Sequence, residues 1–213
     1  MRFITHAKSG VYAIYYAHQV GGLCYTKGMQ TKIIAIVGMS GSGKSEAIKY
    51  LKERGVPDIY FGGMLYREMD RRGADKTPEN QQIYRRQLRD ELGDDFIAQL
   101  AAEDAKNLID AGQKRILFDG LYTWSEFRYL KHEFPGALTV VAVVAPRALR
   151  YSRLTHRPER PFSKEQAFQR DISEIEDIEK GGPIAMADYY VLNDDSLENM
   201  HEQLKKILAE IDF

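Results

Sequence analysis

The sequence predicts an α/β protein built on a buried parallel sheet, and three observations carry that prediction. From Lys32 onward, short apolar runs rich in β-branched residues alternate with amphipathic segments of about 10 to 18 residues, the pattern of successive βαβ units. Three of the runs are apolar without interruption, as strands covered on both faces require. A glycine-rich stretch, Gly38-Met39-Ser40-Gly41-Ser42-Gly43-Lys44-Ser45, follows the first run directly and opens the first helical segment.

The strands fall at 32–37 (KIIAIV), 58–61, 114–118 (KRILF), 138–144 (LTVVAVV) and 189–192, with the first, third and fourth uninterrupted. Helices are expected at 44–53, 64–72, 78–91, 94–110, 123–134, 146–155, 164–179 and 197–211. Their punctuation agrees. Thr77 is an N-cap before Pro78 at a first helical position, and Gly55, Gly73, Gly93 and Gly112 stand where helices should stop.

At about 150 residues per domain, a chain of 213 residues is one large domain or one domain with an appendage. It has 30 Lys and Arg against 31 Asp and Glu, so no global basic field points to nucleic acid or an anionic membrane. Cys24 is alone, which excludes an intrachain disulfide or a CxxC site and agrees with a cytoplasmic location. No apolar run approaches the ~18 residues of a membrane span. Residues 1–28 carry an aromatic stretch broken by His18 and Gln19, a poor secretory signal. The expectation is that Met29 starts the protein, leaving 1–28 as an upstream leader and 29–213 as the working domain.

The glycine-rich stretch is a complete GxxxxGKS. Its glycines let backbone amides turn inward around a phosphate, and the helix N-terminus adds a positive dipole. Gly38, Met39, Ser40, Gly41, Ser42, Gly43, Lys44 and Ser45 are therefore the candidate nucleotide-binding residues. Lys44 would reach the β- and γ-phosphates of ATP, and the Ser45 hydroxyl would take one Mg²⁺ position. The second acidic site is Asp119 in Ile116-Leu117-Phe118-Asp119-Gly120, at the end of a buried strand. A carboxylate there can order Mg²⁺ or accept a proton from an attacking hydroxyl; the bland alternative is a cap on the following turn. Gly120 carries no base to activate water, which favours transfer to a bound acceptor over hydrolysis. A guanine-specific Asn-Lys-x-Asp is missing at Asn193-Asp194-Asp195, and the chain is short for an AAA+ machine with its extra helical domain.

Between Arg147 and Arg170, seven cations face only Glu159 and Glu165. Two prolines in Thr155-His156-Arg157-Pro158-Glu159-Arg160-Pro161 break the helix into a loop that projects Arg153, Arg157 and Arg160. Arginines that close over a transferring phosphoryl stabilise its charge and exclude water. Arg147 and Arg150 read instead as a solvated face paired with the acidic stretch 171–179. Arg67 and Arg71, like Arg85 and Arg89, lie four apart and share a helix face, so Arg67 and Arg89 are candidates for gripping an anionic acceptor. Tyr122 and Trp124 follow Asp119, where a ring could stack on the acceptor or pack beneath the lid.

GMSGSGKS, the strand-borne FDG, the RLxxR of residues 153–157, the Arg170-Asp171 pair and ADYYVLN at 187–193 together resemble the nucleoside-monophosphate-kinase group of P-loop kinases. Within it they are most similar to dephospho-CoA kinases and the dephospho-CoA-kinase-related ATPases. The resemblance spans Lys32 to the C-terminus. It implies a three-layer P-loop NTPase fold with a five-stranded parallel sheet in the order 2-3-1-4-5, a mobile arginine-rich lid at about 153–165, and Asn193 near the adenine. The chain departs from dephospho-CoA kinases after the second strand, where Phe61-Gly62-Gly63 lacks their aspartate, and Asp119 becomes the candidate for that role. The expected function is a cytoplasmic, Mg²⁺-dependent ATP phosphotransferase with a nucleotide-like small-molecule acceptor, as a monomer or weak homo-oligomer without nucleic acid or membrane partners. The alternatives are a nucleoside or deoxynucleoside monophosphate kinase, and an ATP-binding switch whose acidic helix meets a partner.

Overall fold

The computed structural model describes residues 31–159 and 161–213. The expected leader at 1–28, the start at Met29 and the lid residue Arg160 lie outside the described residues. Thr31–Phe213 forms one compact unit. In chain order its elements are β1 (Lys32–Val37), α1 (Lys44–Lys52), β2 (Asp58–Tyr60), α2 (Phe61–Arg71), α3 (Pro78–Leu92), α4 (Phe96–Asp110) and β3 (Arg115–Asp119). They continue with α5 (Trp124–Glu133), β4 (Leu138–Val144), α6 (Arg147–His156), α7 (Lys164–Glu176), α8 (Gly181–Ala185), β5 (Tyr189–Leu192) and α9 (Leu197–Glu210).

The five strands pair in parallel in the order β2-β3-β1-β4-β5, as the resemblance implied. β1 is central because its side chains have apolar partners on both faces. Ile33, Ala35 and Val37 point to one side and pack with α4 and α5; Ile34 and Ile36 point to the other and pack with α1 and α9. The strand therefore cannot slip by one residue without exchanging its two buried faces. On α4, Ala98, Ala101, Ala102 and Ala105 recur at helical spacing and are fully buried, so small side chains let that helix sit close to the sheet. Leu65, Met69, Leu88 and Phe96 form a satellite cluster joining α2, α3 and α4.

Local chemistry sets the boundaries. The Thr77 side chain accepts from the Asn80 amide, and Pro78 opens α3. Thr123 with Glu126, and Ser163 with Gln166, form reciprocal capping boxes on α5 and α7. The second strand is shorter than its sequence pattern. Phe61 already begins α2 and packs edge-on against Phe118 at 5.4 Å, and Gly62 lies beneath the Tyr60 ring, where a Cβ would come within 2.3 Å of the hydroxyl. The helix expected to run to 179 stops at Glu176, and a turn ending in the buried Lys180 leads into α8, whose Gly-Gly-Pro composition gave no helical signal. The edge strand β5 is blunted by Gln203, whose amide bonds both the N–H and the C=O of Leu192 at 2.9 Å. No helix among the described residues is long and apolar enough to cross a membrane.

Parallel strands bring every carboxyl end to one side of the sheet, where open α/β sheets bind ligands. The glycine-rich loop leaves β1 there, with Asp119 at the end of β3 and Asn193 just past β5 on either side. The close approach of α4 gives a test. Ala102→Leu should lower stability by about 1–3 kcal/mol in urea unfolding, whereas Glu103→Leu on the exposed face should change it by less than about 0.5 kcal/mol. Equal effects would mean that the helix does not depend on its small residues.

Candidate functional site

The loop needs its glycines for two reasons. Gly41 and Gly43 have φ of 78° and 103°, a region that L side chains rarely adopt. A Cβ on Gly43 would lie 2.0 Å from Asn193 Nδ2, and one on Gly41 would lie 2.7 Å from the Arg150 carbonyl oxygen. Asn193 is buried; its amide donates to the Ser42 carbonyl at 2.8 Å and accepts from Arg153 Nη2 at 3.2 Å. The structure thus places Asn193 beneath the loop as a brace, tied to one of the expected lid arginines. Lys44 folds back to donate to the carbonyls of Gly38 at 2.6 Å and Met39 at 3.2 Å. Burial, then the nearby charge of Lys180, lowers its pKa to about 7, with Glu174 opposing. Ser45 is exposed at the head of α1.

Ser40, in the middle of the loop, is held through all of its polar groups. Its amide donates to Glu174 Oε2 at 2.9 Å, its hydroxyl donates to Glu174 Oε1 at 2.7 Å, and its carbonyl accepts from Arg150 Nη1 at 3.0 Å. Arg150 also forms a bidentate pair with Asp171, with one bond at 2.7 Å, and Tyr151 donates to the same carboxylate at 3.1 Å. Glu174 is fully buried and accepts in addition from Lys180 at 2.8 Å and Arg170 at 3.2 Å. Burial alone would push its pKa up, but the charge and hydrogen bond of Lys180, then the bonds from Ser40, hold it at about 2. The Lys180 ammonium stands 4.8 Å over the Tyr122 ring.

These contacts correct two expectations. Arg150 is not part of a solvated basic face: it is buried, because Asp171 and the Ser40 carbonyl satisfy its guanidinium. The acidic stretch is not one exposed face either. Asp171 and Glu174 turn inward with Ala167 at positions i, i+4 and i+7 of α7, and only Glu176, Asp177 and Glu179 face solvent.

Asp119 is half-buried, pairs in register with Ile36 of β1 and Tyr60 of β2, and has no side-chain partner among the described residues. Burial, then the charge of Asp58, raises its pKa, with Lys52 and Lys44 opposing. Tyr122 is pushed to about 12, by burial first and then by the Asp119 charge. Arg89 keeps a buried Nε without a partner, and its charge acts on Glu126, which is buried while accepting the amides of Tyr122 and Thr123. Arg67 bonds Asp104 of α4 at 2.7 Å. The Arg157 guanidinium lies 4.3 Å over Phe162, just before α7. Trp124 stacks on Phe127 and packs on Gly182.

Two features fit a nucleotide with its magnesium. Ser42 Oγ and Arg153 Nη1 are buried without partners at the loop, donors that an anion would satisfy. The Ser45 hydroxyl and the Asp119 carboxylate are the oxygen ligands on offer. No group of three or more His, Cys, Asp or Glu that could hold a metal exists among the described residues, so a cation here would need the oxygens of a phosphate as well.

An AAA domain family matches residues 34–179, from β1 to just past α7. A UPF0200 protein of Thermococcus onnurineus is 37% identical over 185 residues, covering 84% of this chain and 99% of its own length. Another from Thermococcus kodakarensis is 35% identical over 182 residues, covering 84% and 97%. The chain belongs to the UPF0200 family. Among solved structures, TT1252 from Thermus thermophilus has a TM-score of 0.54 at 20% identity, covering 85% of this chain and 98% of that one. Shikimate kinase from Bacteroides thetaiotaomicron has 0.53 at 11%, covering 85% and 99%, and dephospho-CoA kinase from Campylobacter jejuni has 0.51 at 17%, covering 85% and 97%. The fold of this chain is therefore the one that these kinases share.

In this UPF0200 protein Glu174, expected on a solvated acidic stretch, and Lys180, which no motif marks, meet at the loop. The signal was present in Ala167, Asp171 and Glu174, a spacing that puts two carboxylates on the inward face of a helix. The lowered Lys44 pKa yields a linkage test. A lysine whose folded pKa is depressed opposes folding fully below about pH 7, and the penalty fades as pH rises towards its unfolded value of about 10.4. Lys44→Met should raise the melting temperature of the nucleotide-free protein by several degrees at pH 6 and lose that advantage by pH 10. A variant less stable than wild type at pH 6 would contradict the charge argument.

Proposed function

We propose that this UPF0200 protein is an ATP-dependent phosphotransferase that moves the terminal phosphoryl to a hydroxyl of a nucleotide-like small molecule. The observation that carries the reading is Asp119: an unpartnered, half-buried carboxylate with a raised pKa, within reach of the Lys44 charge and followed by Gly120. Bound ATP and magnesium would supply the electrophilic phosphorus and neutralise the phosphate charge. The amides of 41–45 hold the donor phosphates, and Lys44 swings from the Gly38 and Met39 carbonyls to the β- and γ-oxygens. Ser45 and Asp119 order the metal or, in the alternative role, Asp119 takes the proton of the attacking hydroxyl. Its raised pKa favours that acceptance. The new phosphorus–oxygen bond forms on the acceptor, the bond to the β–γ bridging oxygen breaks, and ADP leaves with the electron pair. Arg153, with one buried nitrogen unpartnered, would donate to the developing charge.

Kinases of small molecules on the same fold support transfer as the reaction type. Tyr122, whose hydroxyl feels the Asp119 charge, and Arg89, with its unpartnered Nε, suit an anionic acceptor that carries a ring. Dephospho-CoA is one candidate and nucleoside monophosphates are the others, because Phe61-Gly62-Gly63 lacks the aspartate that the resemblance to dephospho-CoA kinases implies after the second strand. A second reading, an ATP-binding switch, is favoured by one observation: the grip of α6 and α7 on Ser40 couples the loop to two helices.

The test is purified protein with ATP, Mg²⁺ and a panel of nucleoside monophosphates, dephospho-CoA and oligonucleotides. ADP should form in an acceptor-dependent manner with one of the small molecules. Asp119→Asn should lower kcat by about a hundredfold or more while ATP binding persists. Turnover indifferent to every acceptor would support the switch instead.

A further inference from the structure

Glu174 is an anion inside an anion site. Four donors converge on this one carboxylate: the Ser40 amide, the Ser40 hydroxyl, the Lys180 ammonium and the Arg170 guanidinium, at 2.9, 2.7, 2.8 and 3.2 Å. The first two belong to the loop built to hold phosphate. Asp171 is engaged apart from this set, accepting from Arg150 on both oxygens and from Tyr151. Around Glu174 the charges of Lys180, Arg170 and Arg150 all act on Lys44, and that of Arg170 acts on Lys180 as well, four cations against the two carboxylates. A group with three anionic oxygens suits this arrangement at least as well as a carboxylate. Lys180 is buried, with the face of the Tyr122 ring 4.8 Å from its ammonium as a second partner for the charge.

Resting on the donor reading above, we infer that the Glu174 carboxylate stands in for the terminal phosphoryl of ATP, and that Lys180, with Arg170 and Ser40, is the group that receives this phosphoryl when Glu174 withdraws. Two like charges cannot share one set of donors, so nucleoside triphosphate and the inward position of Glu174 exclude each other. ADP, which lacks the third phosphate, leaves Glu174 where it is. Withdrawal has a place to act: α7 ends at Glu176, and the turn that follows holds Glu179 at a φ of 50°, uncommon for a side-chain-bearing residue.

Calorimetric titration of Mg²⁺-loaded ADP and of a non-hydrolysable ATP analogue, without acceptor, tests the inference through the ratio of the two affinities. Glu174→Gln should shift that ratio at least tenfold towards the triphosphate. Lys180→Met should shift it at least tenfold towards the diphosphate. A Glu174→Gln variant that weakens both nucleotides equally would make Glu174 a permanent brace and overturn the inference, as would ratios within twofold of wild type for both variants. Hydrogen exchange of residues 170–180 in the wild type is independent of how the variants fold. Exchange should rise with the ATP analogue and stay unchanged with ADP; the same response to both nucleotides contradicts the exchange of anions. Wild-type protein that binds neither nucleotide removes the donor reading and this inference together, whereas binding with an unmoved ratio removes the inference alone.

Discussion

Ser40 is suspended between two buried ion pairs, Arg150–Asp171 on its carbonyl and Lys180–Glu174 on its amide and hydroxyl, and the shape of the glycine loop follows from that suspension. Ion pairs taken out of water recover their desolvation cost only when every remaining donor and acceptor is satisfied. Here the loop backbone completes the set. Removing one partner of such a pair typically costs about 3–5 kcal/mol, because the other charge is left buried and alone. The helices that carry these charges, α6 and α7, are therefore bound to the loop, and the loop's conformation is a property of three segments far apart in sequence.

The sheet makes that convergence possible. β1 lies between β3 and β4, so the loop that leaves it emerges amid the chain ends that carry Asp119, α6 and Asn193. Small residues make the remaining space: the alanine face of α4 admits a helix close to the sheet, and Gly43 admits the Asn193 amide against the loop. The same region holds an unpartnered carboxylate, a lysine with a depressed pKa and buried arginine nitrogens without partners. The cationic groups are costly there and would be relieved by a phosphorylated ligand, whereas the carboxylate would be relieved by the accompanying metal ion.

The legible parts of this architecture were those whose causes are local. GxxxxGKS, the apolar runs of β1, β3 and β4, and the Thr77-Pro78 cap are written in consecutive residues, and the structure places each where those residues put it. The strand order came from resemblance, since spacing alone does not rank parallel strands. What sequence could not give was direction across space. Arg150 looked like an exposed cation because its partner lies 21 residues on, in another helix. Glu174 looked like one acid in a solvated run because the face of α7 that turns inward is decided by the sheet it meets. Asn193, expected near a base, is also a brace of the loop, and Arg67, expected at an acceptor, is also paired with Asp104, contacts that no local pattern announces.

A crystal structure of the protein with magnesium and a non-hydrolysable ATP analogue bears most directly on the account. It should show the terminal phosphate on the Ser40 amide and hydroxyl and on Lys180, with the Glu174 carboxylate turned away. A triphosphate bound while Glu174 keeps all four donors, or a loop that takes up no nucleotide, would contradict it.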